Sequence, residues 1–337
     1  MAIKINDSKT YIIAEMACSH EGSIALAKKI INASGQAKAD AIQFQIWSLK
    51  DMVVPYHNDY SKLARIEISY EDWQQLSEYT RYKFPELDII ACVYEKSSVD
   101  FAESIGVDAY KIHSSDLANP RLIQYVAQTG RRIDLSVGAS TLAEIQNAVQ
   151  WIKNMGNFKT WLMYGYQSFP TPTDAINLSY MMKLKHLFER PIGYQDHSGG
   201  NDPAAFFLPA AAIGMGVDII EKHITHDRSY KGIDHEAALD PEEFTKFVEM
   251  VREIELSKGT STPQDFSEEE IKYRKYSKKS VVANRALPVG TVLTDKDLTF
   301  MRSNELGLPP SQIEQLLGKV VQTEIPQYAL IESHHLQ

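Results

Sequence analysis

Two histidines each close a short apolar run of strand character. His197 ends Tyr194-Gln195-Asp196-His197, and His223 ends Ile219-Ile220-Glu221-Lys222-His223. Two neutral imidazoles on neighbouring strand ends can hold one divalent cation. Asp196, beside the first of them, could fix its tautomer from behind. A histidine pair is more often a pair of satisfied core or surface residues. What favours ligation here is that both fall late in a long strand–helix series, at strand C-termini.

Other residue types sit where a buried strand does not ordinarily carry them. Glu15 follows Ile12, Ile13 and Ala14, and a carboxylate there is costly unless it is paired or used; the simplest pairing is an ion pair with Lys111. Lys111, in Ala109-Tyr110-Lys111-Ile112, suits a phosphate or carboxylate, or a Schiff-base role. Ser114, Ser115 and Asp116 follow it with hydroxyl donors and a carboxylate. Gln43 and Gln45 alternate with Ile42, Phe44 and Ile46, so both face one side of their strand. Asp234-His235-Glu236 reads either as a solvated cluster or as a loop reaching the same metal or a sugar hydroxyl. Gly214-Met215-Gly216 precedes a strand and is no dinucleotide fingerprint. There is no Walker loop and no zinc-type cysteine pair.

These residues need a frame. Apolar, β-rich runs recur at 11–17, 41–47, 88–94, 109–115, 132–137, 160–166, 191–196 and 218–224. Their near-continuous apolar centres suit strands buried on both faces. Helical patterns separate them: 23–36 with a serine cap, 69–82 with Tyr70, Trp73, Leu76 and Tyr79 at helical spacing, and 141–155 opening on a Thr141/Glu144 capping box. Pro241 stands where a first-turn proline belongs. Eight βα units predict a (β/α)8 barrel over 1–257, with a doubly wound open sheet as the alternative. All strand C-termini of such a barrel open on one face, where chemistry collects. Residues 258–270 are polar and read as a linker, within a stretch, 257–270, that reaches roughly 40 Å if extended at about 3.3 Å per residue. Residues 271–337 read as a small β-rich domain with strands at 280–283, 291–293, 299–302 and 320–325.

Composition bounds the partners. Of 337 residues 44% are hydrophobic, enough for a sizeable core, and the formal charge of −9 argues against a general nucleic-acid or membrane-surface binder. Two cysteines, Cys18 and Cys92, make no disulfide framework and fit a reducing compartment. The first seven residues carry no apolar leader core. The longest apolar stretch, 203–217, is too short to span a bilayer and holds two prolines and two glycines, so it reads as a buried helix. A soluble, cytoplasmic protein is the expectation.

Taken in order, several segments resemble the sialic acid synthase family, which condenses phosphoenolpyruvate with an N-acetylated sugar. They are Ile12-Ile13-Ala14-Glu15 with His20-Glu21-Gly22-Ser23, Phe44-Gln45, Ala109-Tyr110-Lys111-Ile112, Phe169-Pro170-Thr171-Pro172, Ile192-Gly193-Tyr194 with Asp196-His197, Glu221-Lys222-His223 with Thr225, and Gly232 with Asp234-His235. The tail, through Ser280-Val281-Val282-Ala283, Val289-Gly290-Thr291-Val292-Leu293 and Leu317-Gly318-Lys319, resembles that family's antifreeze-like (SAF) domain.

The resemblance implies a (β/α)8 barrel plus a small SAF domain in a domain-swapped homodimer. It implies that His197 and His223 ligate a divalent metal, manganese in the first place, with magnesium or cobalt as alternatives. Glu15, Gln45 and Asp234 would orient the sugar. Lys111, Ser114 and Ser136 would contact phosphoenolpyruvate, and Arg302 would be delivered into the partner's site. The chain departs from the family pattern at Gln43, where lysine is usual, and at Cys92, Val137, Gln167 and Gln195. Asp116 stands at a position usually held by glutamate, and Phe169 replaces an aromatic hydroxyl. Most of these fall on the phosphoenolpyruvate side, which implies a divergent member with an altered anion site. An imine-forming aldol-type barrel enzyme and a catalytically silent sugar-binding homologue are the alternatives.

Overall fold

The computed structural model describes residues 9–337; the leader reading of the first seven residues lies outside them. Residues 9–259 fold as a closed barrel of eight parallel strands in sequence order. The strands are β1 (Tyr11–Glu15), β2 (Ala41–Ile46), β3 (Asp88–Val93), β4 (Ala109–Ile112), β5 (Arg132–Ser136), β6 (Thr160–Tyr164), β7 (Ile192–Asp196) and β8 (Ile219–His223). All eight expected runs are strands; seven end one to three residues earlier, where the chain turns into the mouth loops, and β7 ends at the expected Asp196. Closure comes from β1 pairing with β8, with Glu15 level with His223. That register is what places both ends of the series on one rim.

The helices on the outside are α1 (Ile24–Gln36), α2 (Leu49–Met52), α3 (Tyr60–Ile66), α4 (Tyr70–Lys83), α5 (Lys96–Ser104), α6 (Pro120–Gln128), α7 (Leu142–Asn154), α8 (Leu178–Phe188), α9 (Ala204–Met215) and α10 (Pro241–Lys258). The caps read from sequence form: Ser23 accepts from the Leu26 amide, Ser69 from Asp72, and Thr141 and Glu144 close a reciprocal box. The apolar stretch 203–217 is α9, with Pro209 accommodated inside it. Among the described residues no helix is long and apolar enough to cross a membrane. Cys18 and Cys92 are free and buried.

Inside the barrel, alternate residues of each strand point inward. Ile13, Ala41, Ile90, Ala109, Trp161, Met163 and Ile219 form the apolar floor of the lumen. The next inward positions towards the mouth are polar, which leaves the chemistry resting on a packed base.

Residues 260–337 form a separate unit around Val281, Leu287, Leu293, Leu298, Val321, Ile325 and Ile331. It begins with a helix, α11 (Glu268–Ser277), where the sequence reading ran a linker to residue 270. Ser267 accepts from the Glu270 amide while the Glu270 carboxylate returns to Ser267 N, and Glu268 and Glu269 add favourable charge at that end. The reach of an extended linker is shortened accordingly. Two of the four expected strands are regular and antiparallel, β9 (Ser280–Ala283) and β10 (Leu298–Met301). The other two make single bridges, Val292 with Val320 and Leu287 with Ile325. Arg302 follows β10, is exposed, and makes no ion pair among the described residues.

Candidate active site

The mouth of the barrel holds a cavity of about 330 Å³. Glu15, Gln45, Lys111, Gln167, Gln195, His197, His223 and Asp234 line it, so eight of the residues singled out from sequence meet in one place. They come from strand ends β1, β2, β4, β7 and β8 and from the loops after β6 and β8. Met52, Tyr94, His113, Ser115, Phe169 and Glu221 complete the wall.

Lys111 does not pair with Glu15. Its ammonium donates to both oxygens of Glu221, at 2.5 and 2.6 Å, with both side chains almost wholly buried. Burial is the largest single influence and opposes the charge on Lys111, but the surrounding groups, Glu221 foremost and Glu15 after it, together outweigh it and lift the lysine above its ordinary value. Glu221 was missed as a site residue because it sits inside a run that reads as core. The available signal was alternation: Ile219, Glu221 and His223 share one face of β8. The network continues sideways, since Gln195 Nε2 donates to Glu221 Oε1 (3.0 Å) and Ser136 Oγ donates to Gln195 Oε1 (2.8 Å).

Glu15 takes a different arrangement. One oxygen accepts from the Ala17 amide at 2.6 Å and from Gln45 Nε2 at 3.3 Å; the other has no partner. Burial pushes its carboxyl up to about 8 despite nearby Lys111, so it carries a proton near neutrality. Burial also pushes Asp234 up, to about 6, against the pull of Lys62. Tyr94 holds Gln45 in place through its hydroxyl (3.3 Å).

The two histidine rings lie 5.3 Å apart, centroid to centroid, and nearly perpendicular. His197 Nδ1 sits 2.7 Å from the Tyr166 carbonyl, which can only accept, so Nδ1 carries the proton and Nε2 is left free. His223 is buried and its Nδ1 has no partner. Burial lowers the pKa of both rings, His223 furthest, so both are neutral at pH 7. Neutral rings, one oriented by a carbonyl and one with an unsatisfied nitrogen, fit a divalent cation. Behind them, on the outer face of the wall, Asp196 and Lys222 form a fully buried ion pair at 2.7 Å between register partners of β7 and β8. Tyr194 OH and the Ser198 amide and hydroxyl also donate to Asp196, each at 3.0 Å. Asp196 therefore braces the strand ends; the ring of His197 is oriented by the Tyr166 carbonyl and has no hydrogen bond to Asp196 among the described residues.

Five sequence candidates lie off the cavity wall. Gln43, level with Glu15 on β2, is fully buried and neither end of its amide has a partner. Ser136 stands behind Gln195. Ser114 and Asp116 belong to a 3-10 turn after β4, where Asp116 accepts from Asn119. Arg302 belongs to the other unit. Among the described residues, the three-ligand cluster with atoms within 4.8 Å of one another is Glu332, His334 and His335, not the mouth pair. A cation at His197 and His223 would take its remaining ligands from substrate or water.

Residues 30–263 match the NeuB family and residues 278–332 the SAF domain. N,N'-diacetyllegionaminic acid synthase of Legionella pneumophila is 30% identical over 91% of this chain and 89% of its own. Human N-acetylneuraminate-9-phosphate synthase is 29% identical over 92% and 88%. The crystal structure of an N-acetylneuraminic acid synthetase from Leptospira borgpetersenii, in complex with citrate, superposes with a TM-score of 0.72 at 31% identity, covering 80% of this chain and 92% of that one. A barrel with its polar mouth on strands β1 to β8, followed in order by an SAF unit and matched over most of its length, makes this chain a member of the NeuB family.

Proposed function

We propose that this protein condenses phosphoenolpyruvate with an N-acetylated hexosamine-type sugar, releasing phosphate and a nonulosonic acid. The observation that carries the reading is the convergence of Glu15, Lys111, Glu221, Asp234 and the histidine pair in one cavity. A divalent metal, manganese foremost, would be held by His197 Nε2 and a nitrogen of His223, where it would polarise the acceptor's aldehyde. The chain's own groups supply the rest. Lys111, kept charged, attracts the anionic donor. Protonated Glu15 hands a proton to the acceptor oxygen as the enol carbon of phosphoenolpyruvate bonds to the aldehyde carbon. Water adds at the cationic carbon left behind, and Asp234, mostly ionised at pH 7, takes its proton. The C–O bond to phosphate then breaks, leaving the 2-keto acid.

An imine route through Lys111 is disfavoured, because a lysine held protonated by a carboxylate at 2.5 Å is a poor amine nucleophile. Homodimerisation belongs to the same proposal and is read directly by sedimentation.

The test is phosphate release from phosphoenolpyruvate with manganese across a panel of N-acetylhexosamines, alongside calorimetric metal titration. The wild type turns over at least one acceptor, and His197→Ala and His223→Ala lose both metal binding and turnover while staying folded. A wild type that binds no divalent metal, or active histidine variants, refutes the metal assignment. Borohydride trapping of substrate on Lys111 refutes the condensation route.

A further inference from the structure

The unit 260–337 carries a cluster of ligand-type side chains that the barrel chemistry does not use. Glu332, His334 and His335 each offer one donor atom, and the three atoms lie within 4.8 Å of one another. The Glu332 carboxylate is 3.1 Å from His334 Nδ1. The rings of His334 and His335 lie 4.0 Å apart, centroid to centroid, at 56°. Among the described residues no lysine or arginine holds Glu332; its ion-pair partner is His334.

Histidines beside a glutamate on a surface are ordinarily just solvated, and this cluster is open to water: His334 exposes 67% of its side chain and Glu332 47%. What sets it apart is a backbone fixed by the protein alone. The donors belong to one 3-10 turn, Ser333–His335, capped by Glu332. The Glu332 side chain accepts from the His335 amide, and the Glu332 amide donates to His335 Nδ1 at 3.3 Å, a long bond that orients the ring and is readily given up to a cation. Ile331 before the turn is wholly buried, and Leu336 after it packs on the same core. The Gln322 amide donates to the His335 carbonyl (2.8 Å), and Val320 and Gln337 exchange both backbone bonds, at 3.1 and 2.9 Å. Donors at i, i+2 and i+3 thus stand on a turn pinned at both ends. Binding an ion there costs side-chain freedom but little backbone order.

Donor chemistry selects the ion. Two imidazoles and one carboxylate suit zinc, whereas magnesium and calcium want oxygen throughout. Zinc ligands at about 2.0–2.2 Å sit roughly 3–4 Å apart around a tetrahedron, so side-chain rotation alone closes this set. Three protein ligands leave the fourth position to water. We propose that Glu332, His334 and His335 form a zinc site in the small unit, built without any residue of the barrel mouth.

The experiment titrates zinc sulfate calorimetrically into metal-free full-length protein: the wild type, His334→Ala, Glu332→Gln and the His197→Ala/His223→Ala double variant. The wild type takes up one more equivalent of zinc than His334→Ala, and the mouth double variant keeps that equivalent. Glu332→Gln, which keeps the side chain's shape and removes its charge, weakens it by roughly tenfold or more. A large excess of magnesium does not displace it. The His334 side chain is largely exposed, so its variant folds as the wild type does, which circular dichroism checks; Glu332→Gln gives the same comparison by a second route. Equal zinc uptake and affinity in the wild type and both tail variants overturns the proposal. Loss of the extra equivalent in the mouth double variant overturns it too. So does displacement of that zinc by magnesium, which marks a diffuse acidic patch in place of a site.

Discussion

Glu221→Gln is the sharpest probe of the lumen. At 2.5 Å and an effective dielectric of about 20, the Lys111–Glu221 attraction is roughly 6–7 kcal/mol. Desolvating each ion costs several kcal/mol, so the pair nets close to zero while each charge depends on the other. Glutamine keeps the shape but turns an amide towards a buried ammonium. Breaking one side of such a pair costs about 3–5 kcal/mol. The lower end is expected here, because removing Glu221 also removes its repulsion from Glu15, which then ionises more readily and compensates Lys111 in part. Lys111→Met, which leaves two carboxyls facing each other, loses a similar amount. The double variant removes both charges and recovers most of the loss, giving a coupling energy of about 2 kcal/mol or more. Urea unfolding followed by tryptophan fluorescence reads this cleanly, since Trp47, Trp73, Trp151 and Trp161 all belong to the barrel unit. Phosphate release falls by at least about 100-fold in all three variants, because stability returns in the double variant but the charges that face substrate do not. Single losses that add to within about 0.5 kcal/mol, or an active double variant, refute the reasoning.

Two further outcomes follow from buried groups. His20 is 1% exposed and burial lowers its pKa from 6.5 to about 4. The unfolded chain takes up that proton below pH 6.5 and the folded one does not, so about 3 kcal/mol of stability is lost as pH falls from 6.5 to 4. His20→Gln should lessen the fall of the urea midpoint over that window, the remainder coming from other buried histidines such as His197 and His223, and a variant with the wild-type slope rules His20 out as a source. Lys222→Met leaves Asp196 buried without its cation, directly between the strand ends that carry His197 and His223. Metal affinity of the folded variant should drop roughly 10–100-fold by calorimetric titration; an unchanged affinity means the pair has no part in positioning the rings.

What could be read from the chain alone is what local chemistry determines. Strand runs, helix caps and the strand-end placement of His197 and His223 depend on neighbours a few residues away, and the periodicity of a buried parallel strand or a Thr141/Glu144 box is written in those neighbours. Even Ser267/Glu270 was legible as a cap and was overlooked only because the surrounding stretch is so polar. Side-chain partners across the lumen were not legible. Glu15 and Glu221 are both acids at the ends of apolar strands, and nothing local says which of them Lys111 will choose. The choice was decided by closing β1 onto β8 and by the depth each side chain reaches inside the barrel, which brought Glu221 to Lys111 across 110 residues.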